Sequence, residues 1–267
     1  MKKTLFLAIL LLLLAGCDTK QKQARLARTR VETARQLVDD GNLNAAKMQL
    51  DSVHLLYPKQ IDARRNAKAL MDSIVYIEAQ RNLQYSDSLL QPLLPQVDNM
   101  IKKFNREKNG EYENYGRYVH KLLPTDRNIN RCFIQAYINE DMRTVLKSYY
   151  YGSKSLQHET VTFTIGEDFQ SFSGSNHSFD SEGNKYEILS LAEDDALTAL
   201  GFIANNKDSR IKVTLSGNGD YVYYLSQNEK QALAETCQLV AMMRDVRQLE
   251  QQKNVASAQI AKYESKQ

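Results

Sequence analysis

The stretch IKVTLSGNGDYVYYLSQNEKQALAETCQLV, Ile211 to Val240, changes its apolar period once, and that change decides the fold class. Ile211, Val213 and Leu215 alternate with polar residues, Gly217-Asn218-Gly219-Asp220 supplies turn chemistry, and Tyr221, Tyr223 and Leu225 alternate again, which predicts a β-hairpin. Ser226 and Glu229 then stand at capping-box spacing, where a serine oxygen accepts from a free helical amide and the glutamate reaches back to the serine amide. Beyond them Leu233, Cys237, Val240, Met243 and Val246 recur at helical spacing, with Arg244, Arg247, Glu250 and Lys253 on the other side. A long helix with one apolar stripe against the sheet follows. From Gln251 the apolar spacing thins, so the end either frays or pairs with the first half of the chain. The glycines here are turn glycines rather than a phosphate cradle, because no helix opens directly behind them.

The same strand chemistry extends upstream. RCFIQAYIN (Arg131–Asn139), RTVLKSYYYG (Arg143–Gly152) and TVTFTIG (Thr160–Gly166) are rich in β-branched and aromatic residues. Phe169–Phe172 and Lys185–Leu191 read as shorter strands around the loop SGSNHSFDSEGN. Asp194-Asp195 opens a short helix, with acids at its positive end and Leu197, Leu200, Ile203 and Ala204 on one face. The expected class is α+β: a helical N-terminal module, then an antiparallel sheet with a short helix and a long C-terminal helix.

The N-terminal module, expected over residues 31–108, has Ala34, Leu37 and Val38, then Leu43, Ala46, Leu50 and Val53 at helical spacing, interrupted by Gly41 and closed by Pro58. Ala34, Leu37, Gly41, Leu43, Ala46, Leu50 and Pro58 stand at the mutual spacings of a tetratricopeptide repeat, which this hairpin resembles. That resemblance implies a groove for a protein or peptide; with so few repeats, a helical hairpin packed on its own neighbours is the favoured reading of the residues. Arg30 stands where the repeat often opens on a large aromatic, and no second copy follows at a 34-residue offset, so the helix from Ile61 through Ala67, Leu70, Ile74 and Ile77 is read as a cap. Pro92 and Pro95 are expected to break that helix. Leu93, Leu94, Val97, Met100, Ile101 and Phe104 would resume it before Asn109-Gly110 ends the helical half. Residues 109–130, with Tyr112, Tyr115 and Tyr118, read as a connector to a domain over 131–267.

The chain opens on a basic Met1-Lys2-Lys3 and an apolar run from Leu5 to Ala15, the length of a signal-peptide core. At about 1.5 Å per residue the run covers roughly half of a bilayer's ~30 Å hydrocarbon layer. Leu14-Ala15-Gly16-Cys17 resembles the lipobox of bacterial lipoproteins. The resemblance implies removal of residues 1–16 and diacylation of Cys17, which holds the protein on a membrane of the bacterial envelope, the outer membrane favoured over the inner. Residues 17–30 read as a basic tether: Lys20, Lys22, Arg25, Arg28 and Arg30 occur with no acid between them, serving either as a spacer or helix start or as a contact for anionic headgroups.

Loss of Lys2 and Lys3 lowers the formal charge from +3 to +1. That near-neutral balance gives no reason to expect a nucleic-acid partner. Cys132 and Cys237 are candidates for a disulfide closing a ~100-residue loop, or for two free thiols among apolar neighbours. The histidines, His54, His120, His158 and His177, show no metal-ligand spacing, so neither a metal nor a cofactor is expected. Asp39-Asp40 and Glu193-Asp194-Asp195 are carboxylate clusters at helix ends. Ser173, Ser175, His177 and Asp180 share one loop and form the best candidate site for an enzyme reading, a cell-wall hydrolase or esterase. The leading expectation is instead a non-enzymatic lipoprotein with a protein partner. A third reading, small-ligand binding, rests on a sheet face carrying Tyr149, Tyr150, Tyr151, Tyr221, Tyr223 and Tyr224.

Overall fold

The computed structural model describes residues 2–108, 116–128, 130–181 and 183–266, with side chains from residue 20 onward except those of 127 and 181. The class is α+β as expected; among the described residues there are five α-helices and two antiparallel sheets. The chain divides into two compact units, Met1–Ser88 with Glu250–Gln267, and Leu89–Leu249.

In the first unit, helix α1 (Lys2–Asp39) turns through Asp40–Asn42 into α2 (Leu43–Leu56), and α3 (Ile61–Ile101) follows. Gly41 adopts φ +77°, the left-handed conformation that closes a helix hairpin, and Asn42 caps α2 by accepting from the Ala45 amide at 3.4 Å. Small side chains let the helices approach: Ala27, Ala34, Ala46 and Ala67 are fully buried beside Leu50, Val53 and Ile74. The last stretch of α5 (Gln227–Glu264) belongs here, as the thinning pattern beyond Gln251 allowed. Tyr263 stacks on Tyr76 with centroids 4.5 Å apart, its hydroxyl meets Ser73 Oγ at 3.1 Å, and Lys253 pairs with Asp87 at 2.6 Å.

The second unit holds a six-stranded sheet and a four-stranded sheet. The strands are β1 (Phe104–Glu107), β2 (Arg117–His120), β3 (Phe133–Asn139), β4 (Thr144–Gly152), β5 (Thr160–Ile165), β6 (Asp168–Ser173), β7 (Ser175–Ser181), β8 (Asn184–Ser190), β9 (Lys212–Gly217) and β10 (Gly219–Tyr224); α4 (Glu193–Asn205) lies between β8 and β9. The six-stranded order is β1-β2-β3-β4-β8-β7 and the four-stranded order β10-β9-β5-β6. Ile134, Leu146 and Leu189 from the first sheet meet Val161, Phe163, Val213 and Leu215 from the second in one core, closed by Leu200 and Ile203 of α4 and Leu233 of α5. The hairpin forms as read, with Gly217 opposite Gly219 and Asn218 alone at the turn. The capping box forms too: Glu229 Oε2 accepts from the Ser226 amide at 3.0 Å, and Ser226 Oγ accepts from the Glu229 amide at 3.3 Å. Glu229 is buried, and its Oε1 also accepts from the Ile134 amide of β3 at 3.3 Å.

The structure corrects several expectations. There are two sheets, not one, and the shortest of the crossings between them is Gly174, the single residue between β6 and β7. A Cβ built there would lie 2.3 Å from the Ser190 carbonyl oxygen, so only glycine permits the backbones to approach. Gly174→Ala is expected to lower stability by about 2 kcal/mol, the scale of a forced backbone shift, read as an earlier midpoint in urea unfolding. The segment expected as a loop, SGSNHSFDSEGN, contains strand β7, which pairs with β8 along its length. As an exposed edge strand it needs no apolar alternation, and its polar sequence therefore hides it.

Helix α3 runs unbroken through Pro92 and Pro95. Each proline withholds one intrahelical donor without stopping the helix, and Gln96 Nε2 donates back to the Pro92 carbonyl at 2.9 Å. The helix ends at Ile101, and Phe104 begins a strand rather than finishing a helical half at 108. The connector expected over 109–130 contributes strand β2, with Tyr118 half-buried and packed beside Val97 and Phe104. Tyr112 and Tyr115 lie outside the described residues. The stretch expected as a tether over 17–30 has helical backbone throughout, and Ala27 already belongs to the first unit's core.

Candidate functional site

The strongest polar constellation was not anticipated as a group. On β4, Thr144, Leu146, Ser148 and Tyr150 face inward by simple alternation, and on β8 Glu187 shares its parity with Leu189. Between β4 and β5 the segment Ser153–Glu159 folds over the pair and brings in His158. Ser148, His158 and Glu187 are all fully buried. A carboxylate only accepts, so His158 Nδ1 carries the proton donated to Glu187 Oε2 at 3.1 Å, and His158 Nε2 accepts from the Ser148 hydroxyl at 2.8 Å. The order Ser–His–Glu is that of a hydrolytic relay.

The rest of the geometry is that of a latch. Glu187 Oε1 accepts from Ser155 Oγ at 3.0 Å and from the Leu156 and Gln157 amides, both at 2.7 Å, while Oε2 also accepts from the His158 amide at 2.9 Å. With His158 Nδ1, one carboxylate satisfies five donors of one crossing segment. Gln157 sits at φ +51°, a conformation that side chains other than glycine's adopt at a cost and that the surrounding hydrogen bonds hold in place. Tyr150 donates to the Lys154 carbonyl at 3.0 Å, and Asn176 to the His158 carbonyl at 2.6 Å. Burial pushes His158 below the ordinary histidine value, outweighing the carboxylate beside it, so the ring is neutral. For Glu187 burial acts upward, but the amide and side-chain donors prevail and hold its carboxyl below the usual range. Ser148 lies fully buried beneath this segment, and the hydrogen bonds fasten β4 and β8 to the segment that leads into the second sheet.

A second tie joins β2 to α5. His120, also buried, meets Glu235 Oε2 through Nε2 at 2.7 Å, and its Nδ1 accepts from the Leu122 amide at 3.2 Å, so Nε2 carries the proton. Burial lowers the His120 value here too. Lys103 completes the group at 2.8 Å from Glu235 Oε1.

The loop site proposed from sequence does not assemble. Ser173 ends β6, in the four-stranded sheet, while Ser175, His177 and Asp180 lie on β7, in the other. His177 and Asp180 are three residues apart on one strand and so face opposite sides; Asp180 pairs with Lys185 at 2.6 Å. The six tyrosines do not share a face either. Tyr149 and Tyr151 are on the outer side of β4, where Tyr149 stacks on Phe133 at 4.3 Å and burial pushes its hydroxyl up to about 12. Tyr150 points into the core and meets Tyr221 edge-on at 5.5 Å, Tyr223 packs against the core, and Tyr224 faces outward under the Arg210 guanidinium at 3.8 Å.

Cys132 and Cys237 are free thiols, so the bridge weighed between them is not formed. Burial raises both thiols, which makes them poor nucleophiles. Cys132 is further occupied by strand β4, its sulfur accepting from the Tyr151 amide at 3.3 Å. Of the carboxylate clusters, Glu193 pairs with Arg244 at 2.9 Å at the start of α4. Among the described residues, no group of three or more His, Cys, Asp or Glu side chains is placed to hold a metal ion, and no helix is long and apolar enough to cross a membrane. Cys17 lies on the backbone of α1, its side chain outside those described. Comparison of the chain with protein-family models, with curated proteins and with solved structures returned no match.

Proposed function

We propose that the chain is a lipid-anchored protein of the bacterial envelope that holds a protein partner at a membrane. The observation that carries this reading is the ordered start of the chain, in which basic residues, an apolar core and Leu14-Ala15-Gly16 lead to Cys17, followed by a helix that enters the core of the first unit at Ala27. The partner half is supported by large apolar side chains left in water around the end of α2: Met48 and Leu55 are 71% and 78% exposed, with Leu56 and Ile61 beside them in sequence. Such grouped exposure is costly for a solitary soluble unit and marks interaction surfaces.

The test is photocrosslinking in intact cells from a photoreactive residue at Leu55, with one at Asp194 in the other unit as the reference. A discrete adduct specific to position 55, lost when Cys17 is replaced by Ala, is the expected result. Equal labelling from both positions would remove the binding surface from the proposal.

A further inference from the structure

Helix α1 is helical on both sides of Cys17, so the residues that follow the anchor form a rigid extension, not a loose leash. Ala27, Val31 and Ala34 mark its buried side. At about 100° per residue, Arg28, Gln21, Arg25, Thr29, Lys22 and Leu26 follow one another around the opposite half. All six are exposed, Leu26 at 42%. Gln21, Lys22, Ala24, Arg25, Arg28 and Thr29 line an open groove of about 690 Å³. Among the described residues no carboxylate pairs with Lys22, Arg25 or Arg28; Asp18 precedes them on the helix, its side chain outside those described, and the next acid, Glu32, is paired with Arg35 at 3.1 Å.

We propose that this ridge lies flat on anionic phospholipid headgroups of the leaflet that holds the acyl chains of Cys17; the inference rests on the lipoprotein reading. Charge complementarity is the first argument: three cations on one side of a helix, with no acid between Lys22 and Arg28 and no carboxylate partner among the described residues, suit a phosphate-bearing surface. Leu26 at the ridge's edge is placed to enter the boundary between headgroups and acyl chains, as apolar residues of interfacial helices do. Reach is the third. Cys17 and Arg28 are separated by about 16 Å along the axis at ~1.5 Å per residue. An upright helix would lift Arg28 about two Debye lengths from the surface at ~8 Å each, where its charge would be screened. Only a helix lying in the plane uses all three cations, and their position on one side, away from the packed face, allows that posture.

The test uses the lipidated protein recovered from cell membranes, carrying a photoreactive residue at Thr29 and reconstituted into vesicles of phosphatidylcholine with or without phosphatidylglycerol. Lipid adducts at position 29 are expected at least about tenfold more often in the anionic vesicles, falling about fivefold with each of Lys22→Gln, Arg25→Gln and Arg28→Gln. High salt should reduce them likewise. Equal adducts in both vesicles, or none in either, would overturn the proposal, as would Arg28→Gln having no effect while Lys22→Gln does. Suppression by inorganic phosphate at constant ionic strength would reassign the ridge to free phosphate. Failure of the lipoprotein reading is a separate outcome: an unmodified Cys17 thiol by mass spectrometry and no partition into either vesicle.

Discussion

Replacing Glu187 by Gln lowers the stability of the second unit by about 3 to 5 kcal/mol, the cost of removing one partner from a buried charged network. The substitution keeps the volume but exchanges one acceptor oxygen for an NH2 donor. On the Oε2 side that donor would confront the His158 amide at 2.9 Å, and on the Oε1 side the Leu156 and Gln157 amides at 2.7 Å, so either orientation sets donor against donor. Urea unfolding followed by circular dichroism and tyrosine fluorescence is the measurement, since the chain has no tryptophan. A midpoint unchanged from the parent would mean that the segment is not fastened through Glu187. The pH dependence follows from the same group. His158 has a folded value below its ordinary 6.5, so its contribution is complete above about pH 6.5 and is lost as pH falls toward the folded value. Glu187, held below 4.5, adds stability above that pH and loses it as pH falls further. Both act in one direction: acid loosens the latch, and alkaline pH up to the tyrosine range leaves it intact. In Glu187→Gln the fall below pH 4.5 should be shallower than in the parent.

Cys17→Ala is expected to change the distribution of the protein more than any other single substitution. Each buried methylene of an acyl chain contributes about 0.8 kcal/mol and two chains together give stable anchoring. Without a thiol to acylate, the leader is not processed by the lipoprotein route. The mass of the recovered chain should then show neither the diacylglycerol adduct nor the lipoprotein cleavage before residue 17. The parent should incorporate labelled palmitate and partition into the detergent phase of a Triton X-114 separation. A parent that incorporates no label would remove the anchor from the proposal, whatever its membrane association.

What could be read from the sequence were features whose partners lie close along the chain. The Ile211–Tyr224 hairpin declares itself through alternation and a glycine-flanked turn, the Ser226–Glu229 box through a three-residue spacing, and the α1–α2 hairpin through Gly41. The polar latch joins residues 10 and 29 positions apart, and no local pattern couples them. Its one trace is parity: Glu187 shares a strand face with Leu189, so a carboxylate among core positions already required buried donors. Side-chain periodicity does not separate the two sheets, because their shortest crossing depends on an approach between Gly174 and Ser190 that is made by backbone. Strand β7 leaves no apolar alternation in the sequence, because an edge strand is held by main-chain bonds to β8, for which polar residues serve as well as apolar ones. Pro92 and Pro95 carry the local chemistry of a break, whereas packing of Leu93 and Val97 in one cluster with Ile138 of β3 and Leu239 and Val240 of α5 holds the helix together.

Glu229 makes the start of the long C-terminal helix dependent on a distant strand. The same carboxylate closes the cap on Ser226 and receives the Ile134 amide of β3, so the first turn of α5 and the end of the central sheet share a hinge pin. Helix ends ordinarily fray in isolation, and their amides exchange with deuterium quickly. Here the Ile134 and Ser226 amides should exchange on one common timescale, because releasing either means letting go of the carboxylate that secures both.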